Sequence, residues 1–397
     1  MSTDAPATPP ERLVSLDAYR GFTMLAMASE GLGLAQVARR FPDHPTWQLV
    51  GYHFDHVAWL GCAAWDLIQP SFTFMVGVSL AFSCASRVAK GQSYGRMALH
   101  ALWRSLLLVA LGVLLRSRNV DFTNFTFEDT LTQIGLGYFF LFLLWGRPAW
   151  LQWLAAIGIL VGYWCYFYFY PLPPEGFDFA SVGVPADWQH LTGNAAHWDK
   201  NTNAAAGFDQ WFLNLFPRGK EFVFNGGGYL TLSFIPTLAT MIFGLLAGEL
   251  LRSTKRDRGF KFAVLVAAGV IGLAIGHLLE VGDICPIVKR IWTPSWTIYS
   301  AGWAALILAG FHGVVDLLGL RRWTFPLVVV GMNSIAMYCM AELIPGWLAS
   351  RLQAHLGPDI FAMFGADYEP LVRHGAILLV LWLICYWLYR QKVFIRI

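Results

Sequence analysis

Apolar runs laid almost end to end are what most restrict this 397-residue chain. A helix that crosses the hydrocarbon core of a bilayer needs about 20 mostly apolar residues. About ten stretches approach or reach that length: 13–36, 66–85, 98–116, 130–146, 149–170, 229–251, 260–280, 295–319, 324–347 and 371–390. Charged residues make up only 13% of the chain, against roughly 25% in a soluble domain. Inside lipid every backbone polar group must be satisfied by the protein, which leaves helices and closed barrels. Barrel strands read as alternating segments of about ten residues, and these continuous runs do not. The fold class expected is therefore all-α: a polytopic transmembrane helix bundle of about ten spans, one integral membrane domain over residues 1–397.

Basic loops retained on the cytoplasmic side give an orientation. Arg87, Lys90 and Arg96 lie between spans two and three, and Arg252, Lys255, Arg256, Arg258 and Lys261 between six and seven. Arg321 and Arg322 follow span eight, and Arg390, Lys392 and Arg396 close the chain. All fall on one side if both termini are cytoplasmic. The segment 171–228 between spans five and six then lies outside, with Glu175, Asp178, Asp187, Asp199, Asp209 and Glu221 against Lys200, Arg218 and Lys220. Trp188, Trp198 and Trp211 within it point to an ordered outer cap, either a lid over an outward site or a packing element. The first ten residues lack a basic n-region, so no cleavable signal peptide is expected.

Composition also excludes. Net charge is +3 and the basic residues sit in short loop clusters, which is not the footprint of a nucleic-acid face. The six cysteines form no CxxC or Cys/His ligand spacing, so no metal site is expected. Cys62 and Cys285 would both lie outside, and a disulfide between them is left open. No G-x-S-x-G, Walker or HExxH motif is present.

Chemistry-bearing residues gather in a few places. The stretch Phe54–Gly77, FDHVAWLGCAAWDLIQPSFTFMVG, crowds His56, Trp59, Trp65 and Asp66 at the mouth of span two. Titratable groups at a span edge are costly and become functional candidates, whereas Trp there is commonly an interfacial anchor. His56 is a candidate general base with a carboxylate to set its tautomer; Asp66 equally suits a helix N-cap. Asp17 and Arg20 are three apart, on one face of span one. They read either as an anchoring ion pair or as a phosphate contact. Glu30 stands at the far end of that helix. Lys289, in CPIVKRIWTPSW with Trp292, falls outside against the basic-inside trend and suggests an anionic partner. Asn333 in GMNSIAMY is a buried amide, helix–helix glue or ligand, and Asn225 opens a glycine triplet before span six.

Five blocks in order carry a likeness: SLDAYRGF, HVAWLGCAAWDLIQPSFTFMVG, GGGYLTLSFIPTLATMIFGLLAGELL, CPIVKRIWTPSW and GMNSIAMYCMAEL. The chain resembles the bacterial relatives of heparan-α-glucosaminide N-acetyltransferase, including domain-of-unknown-function membrane proteins of the wider transmembrane acyltransferase superfamily. Most specific are H-x-x-W-x-G with Asp-Leu following, K-x-I-W-T-P-S and G-M-N-S. The resemblance implies a bacterial inner-membrane acyltransferase that takes an acyl group, acetyl above all, from cytoplasmic acetyl-CoA. Its acceptor would be an extracytoplasmic sugar or glycan, O- or N-acylated. The family's active histidine falls on His56, as general base or acyl carrier on the periplasmic side, and Asp66 matches its D-L-x-x-P aspartate. Asp66 or Glu30 would orient the imidazole; Arg20, Lys289 and Asn333 would serve the donor, and Trp59, Trp292 and Asn225 the acceptor. Ser29–Glu30 and Trp65 depart from the family pattern. The rival reading is a transporter or flippase for a sugar or lipid-linked intermediate. Membrane lipids are the remaining partners, and a homodimer is left open.

Overall fold

The computed structural model describes residues 13–395; what the sequence leads one to expect of residues 1–12 and of Arg396 lies outside them. Among the described residues the structure is helical, with no strand and a single isolated bridge, Leu60 to Val288. The helices run in order α1 (Val14–Ala28), α2 (Leu34–Ala38), α3 (Pro45–His53), α4 (Ile68–Ala89) and α5 (Tyr94–Arg116). Next come α6 (Thr130–Leu144), α7 (Ala149–Tyr168), α8 (Ala204–Phe212), α9 (Phe234–Arg252) and α10 (Arg258–Val281). The last are α11 (Pro294–Phe311), α12 (Phe325–Gly331), α13 (Ser334–Leu343), α14 (Pro345–Leu356) and α15 (Glu369–Arg390).

Seven helical stretches are long and apolar enough to cross a membrane: Ala64–Ala89, Tyr94–Arg116, Ala149–Tyr168, Thr231–Arg252, Arg258–Val281, Pro294–Leu317 and Ala366–Arg390. An eighth candidate, Arg322–Gly331 with Ser334–Leu343, is bent by 68° at its break. The other two expected spans coincide with α1 and α6, each 15 residues long. At 1.5 Å per residue these reach about 22 Å, short of the roughly 30 Å hydrocarbon core. Cys84, Cys165, Cys285, Cys339 and Cys385 are free thiols.

The chain divides into two compact units. Unit 1 holds Trp59–Gly61 and Thr73–Leu306. Its helices meet through glycine: a Cβ on Gly77 or Gly244 would run into the facing backbone of α9 or α4, at Met241 and Phe74 respectively. Small residues of this kind let membrane helices approach backbone to backbone. Within the same unit the 171–228 segment folds into 3-10 turns and α8, whose first turn is capped by Asn203 accepting from the Ala205 and Ala206 N–H groups. Its Trp198 packs fully buried with Phe167, Tyr163, Ala204 and Ile291.

Unit 2 holds, of the described residues, Leu13–Ala58, Cys62–Phe72 and 307–395. Here α1 lies against α12, with Gly21 against the Leu327 carbonyl and Gly331 against that of Asp17. Past Ala28 the chain turns sharply, with Glu30, Gly31, Leu32 and Gly33 all at positive φ. That turn sets Glu30 beside α15.

Candidate functional site

His56 lies in the link between α3 and a 3-10 turn, Ala64–Leu67, that leads into α4. Its Nδ1 is 2.7 Å from Asp66 Oδ1. The imidazole is 38% exposed while the carboxylate is wholly buried. Asp66 earns its place locally: its Oδ2 accepts the Ala63 N–H at 3.0 Å, an otherwise orphaned donor at the start of the turn, and the Val57 N–H at 3.4 Å. The capping and the imidazole-orienting readings of Asp66 are thus one arrangement. A carboxylate facing Nδ1 places the proton of the neutral ring on that nitrogen and makes Nε2 the basic one. Asp55 adds a second brace, accepting the His56 backbone N–H at 2.8 Å and the Arg39 guanidinium at 2.5 Å.

The other expected residues of unit 2 are placed as follows. Glu30 Oε2 meets His374 Nε2 at 3.2 Å, and His374 Nδ1 meets the Pro370 carbonyl at 2.7 Å. Arg20 donates to Ser334 Oγ at 3.3 Å and lies 3.9 Å from Asp17. Asn333 sits at the break between α12 and α13, fully buried. Its amide donates to the Val393 carbonyl at 3.1 Å and accepts the Ile395 N–H at 3.0 Å. Those two bonds fasten the C-terminal segment as a strand neighbour would. The G-M-N-S block thereby combines a close helix contact at Gly331, a break, and an anchor for the chain end.

In unit 1 the expected binding residues are placed as follows. Trp59 is buried, donates Nε1–H to the Trp198 carbonyl at 3.0 Å and meets Trp188 edge-on at 5.8 Å. Trp292, at φ 50°, belongs to a tight turn whose centre is the Thr293 hydroxyl. That hydroxyl accepts the Val288 N–H at 3.0 Å and donates to the Pro286 carbonyl at 2.8 Å. The Trp292 indole reaches Thr240 at 3.3 Å. Lys289, in the same turn, is buried. Asn225 Oδ1 accepts the N–H groups of Gly227 and Tyr229 at 2.9 and 3.2 Å, a side-chain-closed turn that explains its neighbouring glycines. The structure therefore joins His56 to Asp66 directly, and places Lys289, Trp59, Trp292 and Asn225 in the other unit.

Two clusters carry no expectation from the sequence. In unit 1, His190 Nδ1 lies 2.6 Å from Asp199 Oδ2. Asp199 also accepts Trp188 Nε1–H at 3.0 Å and the Lys200 N–H at 2.8 Å. The Lys200 ammonium stands 5.0 Å over the Trp188 ring, and burial followed by the charge of Arg290 draws its pKa down. His190 and Asp199 stand nine apart across the 3-10 turn Gly193–Trp198, so no α-helical or strand period in the sequence joins them. In unit 2, His312 Nδ1 is 3.0 Å from Asp316 Oδ2, which also receives the Ser15 hydroxyl. All three are buried. His312 and Asp316 stand four apart in an apolar run, about one helical turn, a signal that the sequence itself carries. Among the described residues no group of three or more His, Cys, Asp or Glu is arranged to hold a metal ion.

Comparison with known proteins finds two curated relatives. Human (Homo sapiens) heparan-alpha-glucosaminide N-acetyltransferase is 26% identical over 430 aligned residues, covering 98% of this chain and 60% of that protein. The mouse (Mus musculus) protein of the same name is 25% identical over 429, covering 97% and 60%. The chain is thus similar over nearly its whole length to heparan-alpha-glucosaminide N-acetyltransferases. It spans about 60% of the length of the curated relatives it matches. No protein-family model matches it. The likeness runs through both compact units, so it takes in the His56–Asp66 pair and the Lys289 turn alike.

Proposed function

We propose that this chain is a transmembrane acyltransferase. It would carry an acyl group, acetyl first of all, from acyl-CoA on the cytoplasmic side to an amine or hydroxyl of an extracytoplasmic sugar or glycan. The observation that carries the reading is the His56–Asp66 pair, a half-exposed imidazole held through Nδ1 by a fully buried carboxylate, in a chain similar over nearly its whole length to N-acetyltransferases. Both termini are assigned to the cytoplasm and segment 171–228 to the outside of a bacterial inner membrane, in a bundle of about ten spans with α1 and α6 as its short members. Both units serve this one integral membrane enzyme.

His56 Nε2 takes the proton of the acceptor amine or hydroxyl as that group attacks the thioester carbonyl. Asp66, ionised and already hydrogen-bonded to Nδ1–H, stabilises the imidazolium that results. The imidazolium then returns its proton to the departing sulfur, so a C–N or C–O bond replaces a C–S bond and the histidine ends neutral. The acyl-CoA enters as a substrate and supplies the activated carbonyl. Arg20 and Lys289 are assigned to its anionic groups or to those of the acceptor. Glu30 is assigned to holding the end of α1 through His374, and Asn333 to fastening the chain end. Trp59, Trp292 and Asn225 are given to the framework of unit 1.

The test uses the full chain purified into nanodiscs, with acetyl-CoA, amino-sugar and glycan acceptors, and detection of released CoA thiol. His56→Ala should abolish acceptor-dependent release. Asp66→Asn, which keeps the shape but presents the wrong tautomeric partner, should lower kcat by about 10²–10⁴-fold with KM little changed. Undiminished release by His56→Ala would remove the proposal, and acceptor flux into liposomes without thiol release would favour a transporter.

A further inference from the structure

The end of α5 nearest α4 holds an arrangement that acyl transfer does not use. In unit 1, Arg87 in the last turn of α4 donates to His100 Nε2 on α5, and to Gln92 Oε1 at 3.3 Å. One turn beyond His100, Arg104 donates to the Tyr138 hydroxyl of α6 at 3.1 Å and stacks 4.6 Å over that ring. Arg104 Nε is buried with no hydrogen-bond partner. Among the described residues, no carboxylate forms an ion pair with either.

Arg87 alone has an ordinary explanation, since a cation suits a helix C-terminus. Arg104 does not. It stands ten residues into a membrane-spanning helix, about 15 Å along its axis, where an ionised side chain is costly and normally pairs. Helical side chains lean toward the N-terminus, so Arg104 points back toward the Arg87 end. With Nε2 accepting from Arg87, the other ring nitrogen of His100, Nδ1, is left to donate. Beside this cationic row, one step round the helix, Leu99, Trp103 and Leu106 form an exposed apolar stripe, Trp103 being 60% exposed. The site thus combines two guanidinium forks and an imidazole with a surface suited to hydrocarbon. Planar forks of this kind match the oxygens of phosphate.

We propose that Arg87, His100 and Arg104 form a phosphate-binding site on unit 1. The headgroup phosphate of an anionic phospholipid and a phosphate of a nucleotide-bearing thiol such as CoA present the same chemistry to it. The exposed apolar stripe favours the lipid.

Binding to the full chain, in detergent micelles exchanged free of endogenous lipid, is measured by native mass spectrometry and fluorescence with short-chain phosphatidylglycerol, phosphatidylcholine, CoA and pantetheine. Saturable binding of phosphatidylglycerol over phosphatidylcholine, weakened about tenfold or more by Arg104→Gln and by Arg87→Gln, supports the site with lipid as its source. The same loss for CoA, with pantetheine bound equally by both chains, supports the site with a soluble phosphate. Arg96→Gln, an exposed cation on the first turn of α5, should leave either affinity unchanged. Should the glutamine variants fail to fold, Arg104→Lys keeps the charge without the fork and should still weaken binding. Affinity of the unaltered chain should also fall as salt rises. No selective binding of either phosphate by the unaltered chain, or equal binding by the folded variants, overturns the proposal.

Discussion

A single buried carboxyl, Asp209, ties the stability of unit 1 to pH. It lies in α8, with Oδ2 accepting the Thr231 N–H at 2.9 Å and Oδ1 buried without a partner. Burial first of all raises its pKa from 3.8 to about 7. The folded molecule therefore binds a proton that the unfolded chain releases between those values. The contribution to stability is whole below 3.8 and is lost as pH rises through about 7. At about 1.4 kcal/mol per unit, the ceiling is about 4 kcal/mol. Asp209→Asn, which resembles the protonated acid and never ionises, should flatten this slope: its thermal midpoint should change less between pH 5 and 8 than that of the unaltered chain. Equal slopes, followed by tryptophan fluorescence, would show that Asp209 does not govern the dependence. Asp209 was visible in the sequence only as one of six acids in an acidic segment, because its burial is set by contacts far along the chain. His56 and Asp66 were legible because a short link and a helix start bring residues ten apart together by local geometry. His190 and Asp199, nearly the same distance apart, were not, since the 3-10 turn that joins them, Gly193–Trp198, carries no apolar period that marks it in the sequence.

Hydropathy alone made the long helices legible, because lipid leaves the backbone no alternative to internal hydrogen bonding. It said less about where they break. The turn after Ala28 and the 68° bend at Gly331–Ser334 depend on tertiary partners, α15 for the first and the C-terminal segment for the second. Packing through glycine was also hidden, although the chain carries 38 of them. Two substitutions separate the meanings of a helical glycine. Gly244→Ala in α9 would drive a methyl into the Phe74 carbonyl of α4, and should cost about 1–3 kcal/mol as the helices are forced apart. Gly158→Ala in α7 meets nothing within 4 Å. It should be neutral or gain up to about 1 kcal/mol, the usual advantage of alanine in a helix. Opposite shifts in thermal midpoint are expected, and a loss at Gly158 equal to that at Gly244 would count against glycine-mediated packing of α4 on α9.

The orientation of the whole molecule decides what His56 can reach, and it rests on loop charge. We place on the cytoplasmic side the turn between α9 and α10, where Lys255 and Arg256 lie with Arg252, Arg258 and Lys261 at the helix ends, and on the outside 171–228, with its six acids against three bases. Asp187 and Lys255 are exposed in these two loops, and single cysteines placed there report their sides directly. In intact cells a membrane-impermeant maleimide should label Asp187→Cys and leave Lys255→Cys at the background set by the native thiols; permeabilisation should equalise them. The reverse pattern would turn the molecule over, placing the loop that carries His56 with the acyl-CoA pool and removing the need for transfer across the membrane. The same two variants, read for thiol release with acceptor supplied only outside sealed, oriented vesicles, then link side to function. Activity should require acetyl-CoA within the lumen that matches the Lys255 face. Activity with donor and acceptor together on the Asp187 face would leave an acetyltransferase that does not act across the bilayer.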